Sequence, residues 1–411
     1  MSNQNKLPSG AELLSPAGDM ERLHSAILFG ADAVYLSGKR FGMRAGAGNF
    51  TDEDIEKAIE TAHKNAVSVY VTCNIVPRNE DVKQLPEFLE KLEAFGADAV
   101  IVGDIGVLRM AKQYAPNTDI HISTQAGVAN YVTANEFYEM GASRVVLARE
   151  LNISDIAEIR AKTPRELELE AFVHGSMCVS FSGRCLLSSY LTGRDANKGE
   201  CAQPCRWQYA LCEAKRPGEY FPIFEDTDGT HILNSRDMCL AEHIPELVGA
   251  GIGSFKVEGR AKSSYYVAVV TNAYRAAIDG YFKNPSPDYV LEDWIKEEFS
   301  KVSHREYSEG FYFGNEPGQE INDGGYVRDY EVSAVVTECR NGYIYATQRN
   351  KFSAGDLLDV LPPRGKPCLI RAEGLEDGEG NSIMSAPHAM MPIRIKSDIV
   401  LPSGSLMRRK R

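Results

Sequence analysis

The chain has 411 residues, enough for one large and one small folding unit, and its 43% hydrophobic and 25% charged composition is that of a globular protein. A net charge of −12 argues against a general nucleic-acid coat, although a local basic surface stays compatible with it because whole-chain charge averages over faces. The N-terminus MSNQNKLPSGAELLSPAG lacks an apolar core followed by small residues, and no apolar run reaches the roughly 18 residues of a membrane span, so a cytoplasmic protein with no membrane partner is expected.

In chain order, short apolar β-branched runs predict strands over 12–15, 33–37, 68–74, 99–104, 120–125, 144–149, 167–173 and 254–258. Between them, apolar residues at spacings of three and four predict helices over 20–29, 52–64, 85–95, 107–114, 134–140 and 153–161. FGAD, FGADAV and MGAS place a glycine where a helix ends ahead of the next strand. This alternation predicts a parallel sheet of the α/β class, and eight strands close a (β/α)8 TIM-like barrel. An open doubly wound sheet is the rival; its dinucleotide form is weak because no G-x-G-x-x-G follows the first strand. Gly46 and Gly48 in RAGAGNF fit either a bare turn or a backbone approaching an anion.

Active sites of this barrel gather at the carboxyl ends of its strands, which here carry Asn74, Asp104, Gln125, Arg149, Glu150, His174, Lys256, Glu258 and Arg260. As a ring these suggest a catalytic rim; singly, each is equally a strand end meeting solvent or half of a structural ion pair. The last strand comes late, after a cysteine-rich insertion over 175–240 and a helix expected over 240–250. The barrel with its insertion is assigned to 1–285, followed by a helical linker over 286–325 that holds a helix at 291–301. A small antiparallel β-barrel domain is assigned to 326–411, with strands at 332–337, 343–346, 357–361, 368–372, 391–395 and 397–400. Turn signals such as Arg340-Asn341-Gly342 separate them, and the module reads as one that positions a partner. The terminal Met407-Arg408-Arg409-Lys410-Arg411 reads as a solvated basic tail.

Nine cysteines in a reducing compartment are not a disulfide framework. Cys178-x6-Cys185-x15-Cys201-x3-Cys205-x33-Cys239 can hold a [4Fe–4S] cluster or a zinc ion on four thiolates, or consist of unrelated buried and redox thiols. The long, irregular loops differ from the paired C-x2-C knuckles of structural zinc, and local spacing alone favours Cys205 as a ligand. Cys73, Cys212, Cys339 and Cys368 read as structural.

The stretch EAFVHGSMCVSFSGRCLLS from Glu170 to Ser188 resembles the signature of the U32, or collagenase-like, peptidase family. The resemblance continues through SYLTGRDANKGECAQPCRWQY, LNSRDMCLAEHIPEL, FKVEGRAKSSYYVAVV and GFYFG, and so over nearly the whole chain. It implies a barrel with a [4Fe–4S] cluster bound by four cysteines, which align with Cys178, Cys185, Cys201 and Cys239, Cys205 being the alternative ligand. It also implies oxygen-independent hydroxylation of ubiquinone precursors, ribosomal RNA or the wobble uridine of tRNA, with prephenate as the hydroxyl source in the RNA branch. Length and the β domain are most similar to the tRNA 5-hydroxyuridine branch. One branch works as a heterodimer, so a homo-oligomer or a hetero-oligomer with a related U32 protein stays open.

For an RNA hydroxylase, Arg149, Lys256 and Arg260 are candidates to receive carboxylates of the donor, and His174 or Glu258 to move a proton. Tyr190 and Trp207, interleaved with Arg184, Arg194 and Arg206, offer stacking and phosphate contacts to tRNA. The rival readings are a collagenase-type peptidase, for which neither H-E-x-x-H nor G-x-S-x-G is present, and a non-catalytic, cluster-bearing adaptor.

Overall fold

The computed structural model describes residues 10–43, 48–177, 185, 187–204, 211–212, 220–221, 224–226, 229–231, 236–314 and 326–411. Seven parallel strands follow one another in chain order: β1 (Glu12–Pro16), β2 (Ala33–Ser37), β3 (Ser68–Cys73), β4 (Ala99–Val102), β5 (Asp119–Ile122), β6 (Arg144–Val146) and β7 (Glu168–Ser176). Four strands of two or three residues come next, β8 (Leu211–Cys212), β9 (Tyr220–Phe221), β10 (Phe224–Asp226) and β11 (Gly229–His231), and then β12 (Asp237–Cys239), β13 (Ser254–Val257) and β14 (Tyr307–Ser308), the last paired with β12. Strand β13 pairs in parallel with both β1, Leu14 opposite Lys256, and β7, Phe172 opposite Lys256. The sheet therefore closes as the expected eight-stranded barrel.

Helices α1 (Met20–Phe29), α2 (Asp52–His63), α3 (Asn79–Val82), α4 (Leu85–Phe95), α5 (Ile105–Tyr114), α6 (Tyr131–Glu139) and α7 (Ile153–Ala161) fall between these strands. Local chemistry sets their ends. Asp19 caps α1, Thr51 and Asp54 form a capping box on α2, and Gly30 (φ 107°) and Gly96 (φ 82°) end α1 and α4 in the left-handed region that glycine adopts without strain. Asp104, expected on the rim, caps α5. The helix expected over 240–250 divides into a 3-10 turn (Ala241–His243) and α9 (Ile244–Gly249). Beyond α8 (Leu187–Thr192) in the insertion, α10 (Ser264–Lys283) and α11 (Asp293–Ser300) complete the helices; among the described residues none is long and apolar enough to cross a membrane.

Strand residues alternate between two cores. Leu13, Val34, Val69 and Val100 face the helices, whereas Leu14, Tyr35, Tyr70 and Ile101 face the barrel interior. The interior also holds charge. Arg144 Nη1 lies 2.6 Å from Glu12 Oε1 and 3.0 Å from Glu170 Oε2, and Lys256 Nζ lies 2.7 Å from Glu170 Oε1. Ser254 and Tyr70 donate hydroxyl bonds of 2.7 and 2.6 Å to Glu12. Burial opposes the charge of Glu12, but Arg144 and these hydroxyls outweigh it and hold the carboxyl below its usual range.

The C-terminal unit is an antiparallel half-barrel of seven strands. Its order is β19 (Cys368–Arg371), β18 (Leu357–Leu361), β23 (Leu406–Lys410), β15 (Tyr330–Arg340), β16 (Tyr343–Gln348), β22 (Pro392–Lys396) and β20 (Glu376–Asp377). A two-stranded antiparallel sheet of β17 (Phe352–Ser353) and β21 (Ser385–Ala386) adds Phe352 and Ala386 to its core. Asn341 (φ 52°) and Gly342 (φ 76°) make the tight β15–β16 turn. Two expectations are corrected. Residues 397–400 form no strand, and the supposed basic tail is β23, in the middle of the sheet between β18 and β15. Met407 enters the half-barrel core while Arg408, fully buried, turns the other way. Its Nη2 lies 2.6 Å from Glu298 Oε1 and 3.2 Å from Asp359 Oδ2, and Lys301 Nζ is 2.9 and 2.7 Å from the same two carboxylates. This buried network joins the end of α11 to the sheet.

Glu298→Ala leaves Arg408 in a dry site with Asp359 as its one carboxylate, already shared with Lys301. The expected loss is about 3–5 kcal/mol in urea unfolding, and the double variant Glu298→Leu/Arg408→Met is expected to recover most of it. A second expectation concerns pH. His121, buried with its ring 4.6 Å from that of Tyr70, is kept neutral first by burial and then by Arg144 and Lys256, well below its usual value of 6.5. The unfolded chain takes up a proton there below about pH 6.5 and the native state does not. Stability from this site is therefore complete above that pH and falls below it, by up to about 1.4 kcal/mol per pH unit. Thermal unfolding of His121→Gln is expected to lose that part of the slope between about pH 6.5 and 5.

Candidate active site at the barrel mouth

Strand alternation points Glu168, Glu170 and Phe172 inward, and one more step would carry His174 to the mouth. A bulge intervenes. Lys256 pairs with Phe172, but the next residue, Val257, pairs with His174, so Val173 is the extra residue on β7. The face of β7 flips, and His174 turns outward among Tyr266, Tyr274, Phe299 and Tyr307, with ring centroids at 5.1–6.0 Å. Burial drives its pKa down to about 3, and its Nε2 meets no hydrogen-bond partner among the described residues. That is the environment of a buried, neutral imidazole.

Strand β13 has no such shift in its own alternation, so Ser254, Lys256 and Glu258 rise through the barrel in one row. Lys256 is buried against Glu170, with Nζ 4.6 Å from the Tyr35 ring centroid and 5.4 Å from that of Phe172. Glu258, half-buried, sits above it; the Tyr35 hydroxyl lies 3.0 Å from the Val257 carbonyl and 3.3 Å from Glu258 Oε2. Arg149 covers Phe172 from the other side, its Cζ 3.8 Å from the ring centroid, and Nη1 donates to the Ser176 carbonyl at 3.0 Å. Arg260 is buried and donates to the Met43 carbonyl in the loop after β2. Asn74 ties that loop to the next ones, accepting from Met43 N at 3.1 Å and donating to Ser123 Oγ at 3.2 Å. Gln125 stands in a 3-10 turn, and Glu150 follows Arg149 at the end of the β6 loop. The mouth thus gathers Glu258, Arg149 and Arg260 above Lys256 and excludes His174. Tyr35, Phe172 and Glu170 support it from below. Sequence reasoning passed over these three, although a polar or aromatic residue at inward-facing positions of several strands was a usable signal.

The insertion reaches across this mouth. It leaves from the top of β7, yet Asp195 Oδ2 is 3.0 Å from Arg78 Nη2 and Lys198 Nζ is 3.2 Å from Asp81 Oδ2, both after β3 on the far side of the barrel. Buried Ser188 of α8 accepts from Ala202 N at 3.0 Å and so fixes the chain beside Cys201. Arg194 is exposed, and Tyr190 lies on α8. Cys178, Arg184, Cys205, Arg206 and Trp207 lie outside the described residues.

Two cysteines share a local geometry. Cys201 Sγ accepts from Gln203 N at 3.4 Å, and the Cys239 sulfur accepts from the backbone of Ala241, again two residues on. Such N–H bonds favour thiolate. Burial nevertheless pushes the Cys239 thiol up to about 11, against the bonds from Ala241 and Tyr274. A soft metal is the partner that would take such a proton off. Cys185 is half-exposed and Cys201 exposed, while Cys73 is buried and raised to about 12 by burial, as a structural thiol is. Among the described residues no three His, Cys, Asp or Glu side chains lie close enough to hold a metal ion. The donor chemistry of Cys185, Cys201 and Cys239, soft sulfur with backbone N–H groups turned toward two of the three, fits an iron–sulfur group. A pocket of about 260 Å³ opens beside Cys239, lined also by His243, Lys296, Phe299, Tyr307 and Glu309.

Comparison with known proteins gives this arrangement a context. The chain is 34% identical over 402 residues to tRNA hydroxylation protein P1 of Bacillus subtilis, covering 97% of this chain and 94% of that protein. It is 34% identical over 423 residues to tRNA hydroxylation protein P of Escherichia coli, covering 92% and 91%. With a protein of Methanocaldococcus jannaschii named as an uncharacterized protease it shares 44% over 305 residues, 74% of this chain and 73% of the other. The model of peptidase family U32 matches residues 18–322, and that of the family's C-terminal domain matches residues 328–408. Barrel, insertion and half-barrel are thus all accounted for by one lineage, and the chain belongs to peptidase family U32.

Proposed function

We propose that this U32 protein is an RNA-hydroxylating enzyme that converts the wobble uridine of tRNA to 5-hydroxyuridine without molecular oxygen, with prephenate as the source of the hydroxyl group. The observation that carries the reading is the end-to-end likeness to two proteins named for tRNA hydroxylation, over both the barrel and the β domain. The backbone N–H···S turns at Cys201 and Cys239 support a [4Fe–4S] cluster on Cys178, Cys185, Cys201 and Cys239, with Cys205 as the alternative ligand. Such a cluster supplies Lewis-acid or electron-relay chemistry at its site when bound.

The chain's own residues then divide the work. Arg149, its Cζ over the Phe172 ring, and Arg260 orient carboxylates of the donor by charge-assisted hydrogen bonds. Lys256, neutralised by Glu170, acts as a positioning charge beneath them. Glu258 holds or releases a proton at Oε2, with the Tyr35 hydroxyl steadying it. The segment over 187–204, braced on Arg78 and Asp81, keeps bulk water from the mouth.

The test is anaerobic purification with iron and sulfide analysis, absorption spectroscopy and nucleoside analysis of tRNA. A broad band near ~400 nm is expected, lost in Cys239→Ala, and 5-hydroxyuridine should appear in tRNA only with the intact protein. Parallel Cys201→Ala and Cys205→Ala proteins decide the third ligand. Glu258→Gln should keep its iron and lose about a hundredfold or more in hydroxylation rate. A colourless protein after anaerobic reconstitution, or tRNA left unmodified, would overturn the proposal. Cleavage of gelatin or collagen by that colourless protein would instead favour the peptidase reading suggested by the name of the Methanocaldococcus relative.

A further inference from the structure

The half-barrel carries an aromatic and cationic face that neither its own core nor the barrel uses. On β16, Ile344 and Ala346 enter the core, which turns Tyr343 and Tyr345 to the opposite side. On β22, Ile393 and Ile395 enter the core and Arg394 and Lys396 face outward. Register aligns them: Tyr343 stands between Arg340 and Lys396, and Tyr345 between Glu338 and Arg394. The guanidinium of Arg340 lies 4.6 Å from the Tyr345 ring centroid and that of Arg394 lies 4.9 Å from the Tyr343 centroid. Flat cations and rings therefore alternate across three strands. Glu376 pairs with Arg394 and accepts from the Tyr343 hydroxyl, and Glu338 lies 3.4 Å from Arg340, so three cations face two carboxylates and the strip stays net positive on a chain of net charge −12.

The same outer face continues past a bulge at Thr337 into the domain junction. Val335 pairs with Thr347 on one side and Leu406 on the other, and both Val335 and Leu406 pack against the barrel core. One end of the sheet face is thus covered by the barrel, and the Tyr343–Tyr345 end is open.

We propose that this strip is a stacking platform for a single-stranded segment of RNA, bases lying on the Tyr343 and Tyr345 rings and phosphates meeting Arg340 and Lys396. Planar groups at strand-to-strand spacing suit unpaired bases, which stack on tyrosine and arginine alike, and a positive surface on an acidic chain suits a polyanion above an acidic or neutral partner. The inference rests on the tRNA reading above, but it concerns a surface away from the barrel mouth and can fail separately.

The experiment measures binding of the full-length protein to an unmodified tRNA transcript by fluorescence anisotropy over a range of salt concentrations. Tyr343→Ala/Tyr345→Ala should weaken binding by about tenfold or more, whereas Tyr343→Phe/Tyr345→Phe, which keeps both rings, should stay within about twofold of the parent. Arg340→Ala/Lys396→Ala should flatten the dependence of log Kd on log salt by about 0.7 for each phosphate no longer neutralised, a readout that loss of folding would not mimic. Circular dichroism melting checks that each variant is folded. Should the alanine pair bind as tightly as the parent with an unchanged salt slope, the platform is overturned and the tRNA reading stands. Absence of tRNA binding by the parent overturns both. A dimer in sedimentation that Tyr345→Ala dissociates, with RNA affinity unchanged, would assign the strip to a second copy of the chain and overturn the RNA occupant.

Discussion

The charge network inside the barrel is the interaction on which the rest of the molecule depends. Glu12, Arg144, Glu170 and Lys256 come from β1, β6, β7 and β13, the strands that meet where the sheet closes. Buried ions are poor stabilisers compared with well-packed apolar groups, yet removing one partner from such a set is costly. The network therefore acts chiefly through specificity: a one-residue slip of β13 against β1 or β7 would turn Lys256 out of the barrel and leave Glu170 with Arg144 as its one cation. By fixing that register, it also fixes the height of Glu258 above Lys256 and of Phe172 beneath Arg149.

The bulge at Val173 divides chemistry from packing. Without it His174 would join Glu258 at the mouth; with it, the imidazole fills a ring of aromatic side chains outside the barrel, and the end of β7 is freed to pair antiparallel with β12. That pairing places Cys239 opposite His174 and delivers a thiol from the far end of the insertion back to the barrel. Braces on Arg78 and Asp81 do the same for the middle of the insertion. The described parts of the long gap between the seventh and eighth barrel strands are thus tied to the barrel at Asp195 and Lys198 and again at β12.

Legibility in the sequence followed the range of the forces involved. Strands β2 and β18 and helices α1, α4 and α7 sit where periodicity placed them, because alternation, caps and terminal glycines act within a few residues. The eightfold repeat sufficed for the barrel. By contrast, the terminal basic run was misread because charge suggested solvent, while Arg408 is neutralised by Glu298 and Asp359, 110 and 49 residues away in sequence. The side of the sheet that His174 faces was not legible either, because a single unpaired residue, invisible in composition, reverses it.

The sequence by itself determined the family, the barrel with its late eighth strand, the antiparallel β domain that follows, and the cysteines from which a metal-binding set can be drawn. Motif identity and short-range periodicity carry that information directly. Only the tertiary structure decided which rim residues share the mouth, that Lys256 is already paired, that Tyr35 and Phe172 support the site, and that Tyr343, Tyr345, Arg340 and Arg394 form one surface. The reason is common to all four. Each depends on strand register and on contacts between residues distant in the chain, and these are fixed by closing the sheets rather than by any local run of amino acids.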